Sequence, residues 1–424
     1  MKRILYNLVF LVAILNAIAT VTTGYFPAGT LNPGTVRALI IGVPLIIFIA
    51  RYYPSDFVSI TIFIYLLYLF LLVFLSSDIL WSFYMYIKIA IGFLMFPLGY
   101  YFVKDLRSYK KLMTSFAITL GLLLITVLIS NIFDLGTSDY LDESFYFGVG
   151  RVNITTSIFI LVLVAPVTLA FFKGNTQKIL VLVFVAGLIV SLIGIKRSVL
   201  LSALISPMVY GFFTRYKKRF IKLFLGIALL LGLTVVVFPN AYSIFNARFD
   251  ARRDAGNLEL SEESVSGQAR FDEYNLVVQS WIDGSLRHKM IGSEWLNDMY
   301  YFQSKRMLHT DYMVLLNGSG AIGLVGWFII LFLIFKEIVK YHKYLRTSPL
   351  FNTIYAISFC LLATQLFMSV SGSLYSIDVR CLLMLFWGST VGLFRHTAIR
   401  IRSERAEEET KLIDTTQFKN QYVL

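Results

Sequence analysis

The sequence predicts an all-α polytopic membrane protein of about twelve transmembrane helices with one long extracytoplasmic loop that contains short helices. Of the 424 residues, 57% are hydrophobic and only 15% are charged, whereas soluble domains carry about 25% charged residues. Apolar stretches near the length that crosses roughly 30 Å of hydrocarbon recur along the whole chain. Because backbone polar groups in lipid must be satisfied within the spanning segment, we expect helices.

The apolar stretches define the order of the spans. We place them near 4–23, 37–50, 57–76, 79–103, 112–131, 152–172, 179–195, 198–213, 221–238, 319–335, 350–370 and 377–394. The second and the last are short and polar-edged, which leaves eleven spans as an alternative. The chain therefore divides into nine helices (1–238), a polar loop (239–309), three helices (310–395) and a tail (396–424), of which the part from 403 is expected to be disordered or weakly helical.

The distribution of charge predicts the orientation. With twelve spans and a cytoplasmic N-terminus, the inner segments hold 24 basic residues against 8 acidic ones, as the positive-inside rule requires. Both termini are then cytoplasmic, and the long loop faces outward. Topology thus accounts for the net charge of +13, which in a soluble protein would suggest a nucleic-acid partner. The two cysteines and four scattered histidines predict neither a disulfide framework nor a zinc site.

Several cations break this rule. Lys196 and Arg197 lie in the outer turn between spans seven and eight, with almost no loop to solvate them. Arg197 either snorkels to lipid phosphates, pairs with an acidic loop residue, or binds the phosphate of a lipid substrate through its fork of donors. Arg151 and Arg380 also lie where helices start on the outer side of the membrane, and they are secondary candidates. We expect Asp378 to neutralise Arg380.

One cation lies deep in a span. Lys88 is in the middle of the fourth span, within WSFYMYIKIAIGF. A lysine at such a depth is expected to be functional or to snorkel between the neighbouring tyrosines.

The long loop contains a further candidate. Residues 268–282 predict a helix with Phe271, Tyr274, Val278 and Trp281 on one face. Arg270 lies in its first turn, where a helix N-terminus attracts anions. The alternative is a surface pair between Arg270 and an adjacent acidic residue.

The chain re-enters the membrane beside a histidine. His309 closes the polar loop and Asp311 follows two residues on. A histidine is suited to removing a proton from a sugar hydroxyl near neutral pH, and the alternative is an interfacial hydrogen bond.

The run Gly318-Ser319-Gly320-Ala321-Ile322-Gly323 fits a dinucleotide fingerprint formally, but no strand precedes it. These glycines, with Gly326, are instead expected to let helices pack closely.

Taken together, these segments resemble the O-antigen ligase and polysaccharide polymerase superfamily. The resemblance covers the many spans, the long outer loop near two-thirds of the chain, and the short final helix pair. Its local part consists of IKRSVLLSAL, GQARFDEYNLVVQSWIDGSLRHKMIG and HTDYMVLLNGSGAIGLVGWF. The chain departs from the family in having Gly320 or a neighbour where an acidic residue usually precedes the re-entry glycine, and Asp311 is the candidate to compensate.

The resemblance implies a GT-C-like glycosyltransferase of the bacterial inner membrane that works without metal or other cofactor at the outer face. Its donor would be an undecaprenyl-diphosphate-linked glycan, held through the diphosphate by Arg197 and Arg270, while His309 activates the acceptor hydroxyl. Attack in line by that hydroxyl predicts inversion at the glycosyl carbon. A membrane-bound chain-length regulator is a further candidate partner.

Three functions stay open. A polymerase adds the glycan to a second lipid-linked repeat unit, as in O-antigen or capsule synthesis, and a ligase adds it to lipid A-core in lipopolysaccharide synthesis. The numbers of known enzymes favour the polymerase. A transporter or flippase of the same lipid would more often show internal repeats and charges deep in the membrane, whereas here no repeat is evident and only Lys88 lies deep.

Overall fold

A computed structural model describes residues 1–22, 33–133, 135, 153–193, 197–214, 226, 267–302, 308, 310–372, 374 and 376–421. Within these ranges the side chains of 153, 197, 267–272, 371, 405 and 408–421 are not described. All regular structure in the described part is helical. The helices are α1 (Lys2–Thr22), α2 (Pro33–Tyr52), α3 (Phe57–Val73), α4 (Ile79–Phe102), α5 (Leu106–Ile132), α6 (Asn153–Leu163), α7 (Ala165–Leu169), α8 (Gly174–Ile193), α9 (Arg197–Phe213), α10 (Gly267–Asp283), α11 (Leu286–Ile291), α12 (Asp298–Tyr301), α13 (Asp311–His342), α14 (Pro349–Ser371) and α15 (Ile377–Gln421).

The described helices have the length and composition of membrane spans. Eight of them, α1, α2, α4, α5, α8, α13, α14 and α15, are long and apolar enough to cross a bilayer, and α3, α6 and α9 are shorter and apolar. The predicted all-α polytopic membrane class is confirmed at this level. The predicted span at 221–238 lies outside the described residues.

Aspartates fix where three of these helices begin. Asp56, Asp78 and Asp105 precede α3, α4 and α5, and the carboxylate of each accepts a hydrogen bond from the backbone N–H three residues on, at 2.8–3.1 Å. Such caps satisfy donors that have no partner inside the helix. Burial raises the pKa of Asp56. Local sequence therefore determines these three boundaries.

The last span is the centre of the bundle. The candidate span Ile377–Glu404 of α15 has 28 residues, more than the short span expected near 377–394, and 94% of its apolar window is buried. It packs against α4 through Gly388 and Gly392, where an added Cβ would lie 2.1 Å from Phe96 O and 2.7 Å from Tyr100 O. Small residues permit such close helix approach. The backbone continues as helix to Gln421. Of the two expectations for the tail, disordered or weakly helical, the helical one agrees with the structure.

The re-entering helix also differs from its prediction. It begins at Asp311 rather than near 319, and Gly320 interrupts it with φ 62° and ψ −168°. Gly326 lies against α3, because a Cβ there would be 2.9 Å from the Tyr65 ring. The expectation that these glycines permit close helix contact is confirmed at Gly326, and Gly320 has a further role described below.

Candidate functional site at the loop end of the bundle

We use the term loop end for one end of the bundle. At this end α3 finishes, α4 and α13 begin, and α14 connects to α15. A folded part of the polar loop, residues 286–298, lies against it, and we call this stretch the docking segment. Gly292 in the segment has φ 76°, a conformation that favours glycine. The next residue, Ser293, donates its backbone N–H to Asn317 O of α13 at 2.8 Å.

The docking segment and α13 meet through two glycines. A Cβ on Gly292 would lie 2.5 Å from Asn317 O, and a Cβ on Gly320 would lie 2.4 Å from both C and O of Met290. Next to this crossing, Tyr68 of α3 donates its hydroxyl hydrogen to Ser319 O at 2.7 Å. The break at Gly320 therefore lets the backbone of the docking segment pack directly against α13.

Glu294 ties the docking segment to the α3–α4 turn. Its Oε2 accepts hydrogen bonds from Ser77 N at 2.9 Å and from Ser77 Oγ at 2.8 Å. Glu294 and Leu296 both have positive φ, 49° and 57°. Strained backbone of this kind persists only where the surroundings determine it strongly, and it concentrates at functional sites.

Buried side chains hold the remainder of the segment. Trp295 is 1% exposed and Leu296 is fully buried. Ser82 of α4 donates to Trp295 O at 2.6 Å, and Trp81 Nε1 donates to Leu296 O at 3.2 Å. The docking segment is thus a firmly packed part of the loop end.

The three principal candidates lie partly or wholly outside the described residues. Arg197 is the first residue of α9 and Arg270 lies in the first turn of α10, and of each only the backbone is described. His309 is outside the described residues, although its neighbours Leu308 and Thr310 are buried. Arg151 and Lys196 are also outside them.

Helix packing locates the start of α9. Helix α9 pairs with α14 in antiparallel direction, since the hydroxyl oxygens of Ser206 and Thr364 are 3.3 Å apart, whereas Phe213, later in α9, has its ring 5.9 Å from that of Tyr355, earlier in α14. In this register residues earlier in α9 lie beside residues later in α14. The backbone of Arg197 is consequently at the loop end, near the last turn of α14.

Helix α10 lies against the first turn of α13. The side chain of Tyr274 is close to that of Tyr312, and Tyr312 donates its hydroxyl hydrogen to Leu366 O of α14 at 2.9 Å. Arg270 precedes Tyr274 by one helical turn. The backbones of Arg197 and Arg270, and the neighbours of His309, therefore belong to the same end of the bundle.

The predicted helix at 268–282 is confirmed, but its buried face is not the expected one. Val278 is 37% exposed, whereas Val277 is fully buried and Glu273 is 8% exposed. The face is shifted because the helix packs on α13 and on α11. The side chain of Phe271 is not described.

Two secondary candidates have structural contacts. Asp311 is 3% exposed, and its Oδ1 accepts the backbone N–H of Leu374 at 2.6 Å, which ties the start of α13 to the α14–α15 connection. Arg380 is 4% exposed, and its aliphatic stem lies against Gly92 of α4. These contacts join helices at the loop end.

Asp378 and Lys88 also have defined neighbours. We expected Asp378 to neutralise Arg380, but its two oxygens accept hydrogen bonds from Ser157 at 2.5 Å and Ser376 at 2.7 Å. The reason is that Arg380 is directed toward α4 while Asp378 is directed toward α6. The Lys88 ammonium lies 4.0 Å from the centre of the Tyr84 ring, which agrees with snorkelling.

The burial of His288 in α11 predicts that the stability of the protein depends on pH. Its ring is 9% exposed, its Nδ1 is 3.3 Å from the Tyr301 hydroxyl, and burial lowers its pKa. The unfolded chain, with an ordinary pKa near 6.5, then binds more protons below that pH than the folded chain. Stability is therefore expected to fall as the pH drops below about 6.5.

The measurement is the thermal unfolding temperature between pH 7.5 and pH 5.5. His288→Gln should lose part of the decrease that the unchanged protein shows on acidification, because glutamine does not titrate. An equal decrease in both proteins would contradict this role of His288.

The docking segment was not found from the sequence. The stretch MIGSEWLND has neither a clear helical period nor an alternating one, and only Gly292 signals an unusual backbone. Comparison of the chain with models of known protein families and with curated proteins gave no match.

Proposed function

We propose that this protein is a polysaccharide polymerase of the O-antigen or capsule type, acting on lipid-linked glycans at the outer face of a bacterial inner membrane. It transfers a glycan from an undecaprenyl-diphosphate donor to a sugar hydroxyl of a second lipid-linked repeat unit, with inversion and without a metal. The observation that carries the proposal is that the helix starts bearing Arg197 and Arg270 belong to one end of an apolar bundle.

The chemistry of the residues supports a phosphate site. The leaving diphosphate needs stabilisation of negative charge, and two guanidinium groups supply it through paired hydrogen bonds. The backbone of Arg197 is at the N-terminus of α9 and that of Arg270 is in the first turn of α10, where helix dipoles favour anions. The donor's lipid tail would remain in the bilayer beside the bundle.

The proposed base is His309. It would take the proton from the acceptor hydroxyl as the oxygen attacks the glycosyl carbon and the bond to the diphosphate breaks. Its neighbours on both sides are buried at the start of α13, and the hydrogen bond from Leu374 to Asp311 fixes that start. A fixed backbone is what a positioned base requires.

The test uses purified protein, a donor obtained from cells lacking this gene, where the lipid-linked repeat unit accumulates, and EDTA. We expect glycan chains to lengthen in the presence of the chelator. Arg197→Ala and Arg270→Ala should each lose most of this activity, because one guanidinium is then missing from the diphosphate. Arg287→Ala is the matched control, since Arg287 is an exposed arginine of the docking segment.

The acceptor distinguishes the alternatives. Extension of the lipid-linked unit supports a polymerase, whereas transfer only to lipid A-core indicates a ligase. Movement of the lipid across proteoliposomes without glycan transfer indicates a flippase and would refute the proposal. Normal extension by both arginine variants would refute the site.

A further inference from the structure

A small polar cavity lies near the same end of the bundle as the site described above, but among other helices, α1, α5, α6 and α15. Five side chains with oxygen atoms line it together with apolar neighbours: Asn16, Thr20, Thr119, Ser157 and Asp378. Its free space is about that of one water molecule. Five oxygen-bearing side chains around so small a space call for a cause.

Asn16 is the first sign of a ligand. The side chain is 1% exposed, and neither Nδ2 nor Oδ1 has a hydrogen-bond partner. The thiol of Cys381 lies beside it, but a thiol is only a weak acceptor. A buried amide without partners destabilises the folded state, and a ligand in the cavity would offset that cost.

Asp378 is the second sign. Its carboxylate is directed to the cavity, and within the described part of the chain no lysine or arginine forms an ion pair with it. Arg380 follows on the same helix but has its stem against α4. Arg37 of α2, like Arg380, acts on Cys381 from nearby, and it is an alternative source of positive charge. A carboxylate in an apolar bundle requires a counter-charge.

The hydroxyl groups are arranged as oxygen ligands. Ser157 donates its hydrogen to Asp378 at 2.5 Å, and Thr119 donates its hydrogen to Ser115 O at 2.8 Å. Each hydroxyl therefore keeps lone pairs on its oxygen for a cation. An anion would meet the carboxylate, and a divalent cation would usually be bound by more than one carboxylate.

We propose that this cavity binds one dehydrated monovalent cation, Na⁺, through Asp378, the Asn16 carbonyl oxygen and the surrounding hydroxyls. Hard oxygen ligands and a small cavity favour Na⁺ over the larger K⁺. The ion would join α1, α5, α6 and α15, and it stabilises the folded state because the ligands converge only there. This site is independent of the proposed glycosyl transfer.

The test is thermal unfolding of the purified full chain in NaCl, KCl or choline chloride at equal ionic strength, together with binding of radioactive ²²Na⁺. We expect a saturable rise of the unfolding temperature in NaCl alone, and one ²²Na⁺ per chain. Asp378→Asn and Asn16→Ala should lose both. Asp78→Asn is the matched control, because Asp78 caps α4 outside the cavity, and it should keep both.

Equal unfolding temperatures of the unchanged protein in the three salts, with no bound ²²Na⁺, would overturn the proposal and leave a water molecule in the cavity. This result needs no variant to fold. A Na⁺ effect that survives in Asp378→Asn would also overturn it, since the ion would then be bound elsewhere. If Arg37→Gln removes no Na⁺ binding while Asp378→Asn does, the proposal is supported against neutralisation by Arg37.

Discussion

Replacing Gly320 with alanine is expected to lower the free energy of unfolding by several kcal/mol and to release the docking segment. The new Cβ would lie 2.4 Å from C and O of Met290, and backbone cannot move aside as a flexible side chain does. Positive φ in a residue other than glycine adds about 1–3 kcal/mol, and overpacking adds about 1–3 kcal/mol.

The effect is measured by thermal unfolding in detergent and by limited proteolysis of residues 286–298. Gly121→Ala is the control, because a Cβ on this residue of α5 would meet nothing within 4 Å. That control should unfold at the same temperature as the unchanged protein or higher, since alanine favours helix over glycine by about 1 kcal/mol. Equal behaviour of the two variants would show that the glycine crossing has no structural role.

Replacing His309 with alanine is expected to have the largest effect on the proposed reaction, a decrease of about 10²–10⁴-fold in kcat. The donor should still bind, because the proposed diphosphate ligands Arg197 and Arg270 are unchanged. The unchanged enzyme should lose activity at acidic pH, because a protonated imidazole cannot accept the hydroxyl proton.

The measurement is the rate of lipid-diphosphate release over a range of pH, with donor binding followed separately. His396→Ala serves as the control, since His396 lies in α15 far along the chain from the loop end and should retain full activity. A decrease in donor binding with an unchanged kcat would show that His309 acts in substrate binding rather than in the chemical step. Activity equal to that of the control would remove it from the site.

The starts of two predicted spans, 57 and 79, agree with the structure, whereas the span expected from 112 begins at 106. Asp56, Asp78 and Asp105 cap these three helices, and a cap needs only residues within one turn. Helix α10 was predicted from its apolar period, but its buried face was not. Val277 rather than Val278 is buried, since a face is chosen by the surface on which a helix packs.

Hydrophobic composition and the length of the apolar segments by themselves determined the class of this protein, because burying so much apolar surface requires a bilayer and apolar segments near 20 residues cross it as helices that satisfy their own backbone. The charge pattern likewise predicted an orientation. Only the tertiary structure decided that α15 is the central helix, that Gly320 breaks α13 to seat Met290, and that Asp378 is directed to Ser157 rather than to Arg380. These features join residues far apart in the chain, and such contacts depend on how helices pack, which no local period encodes.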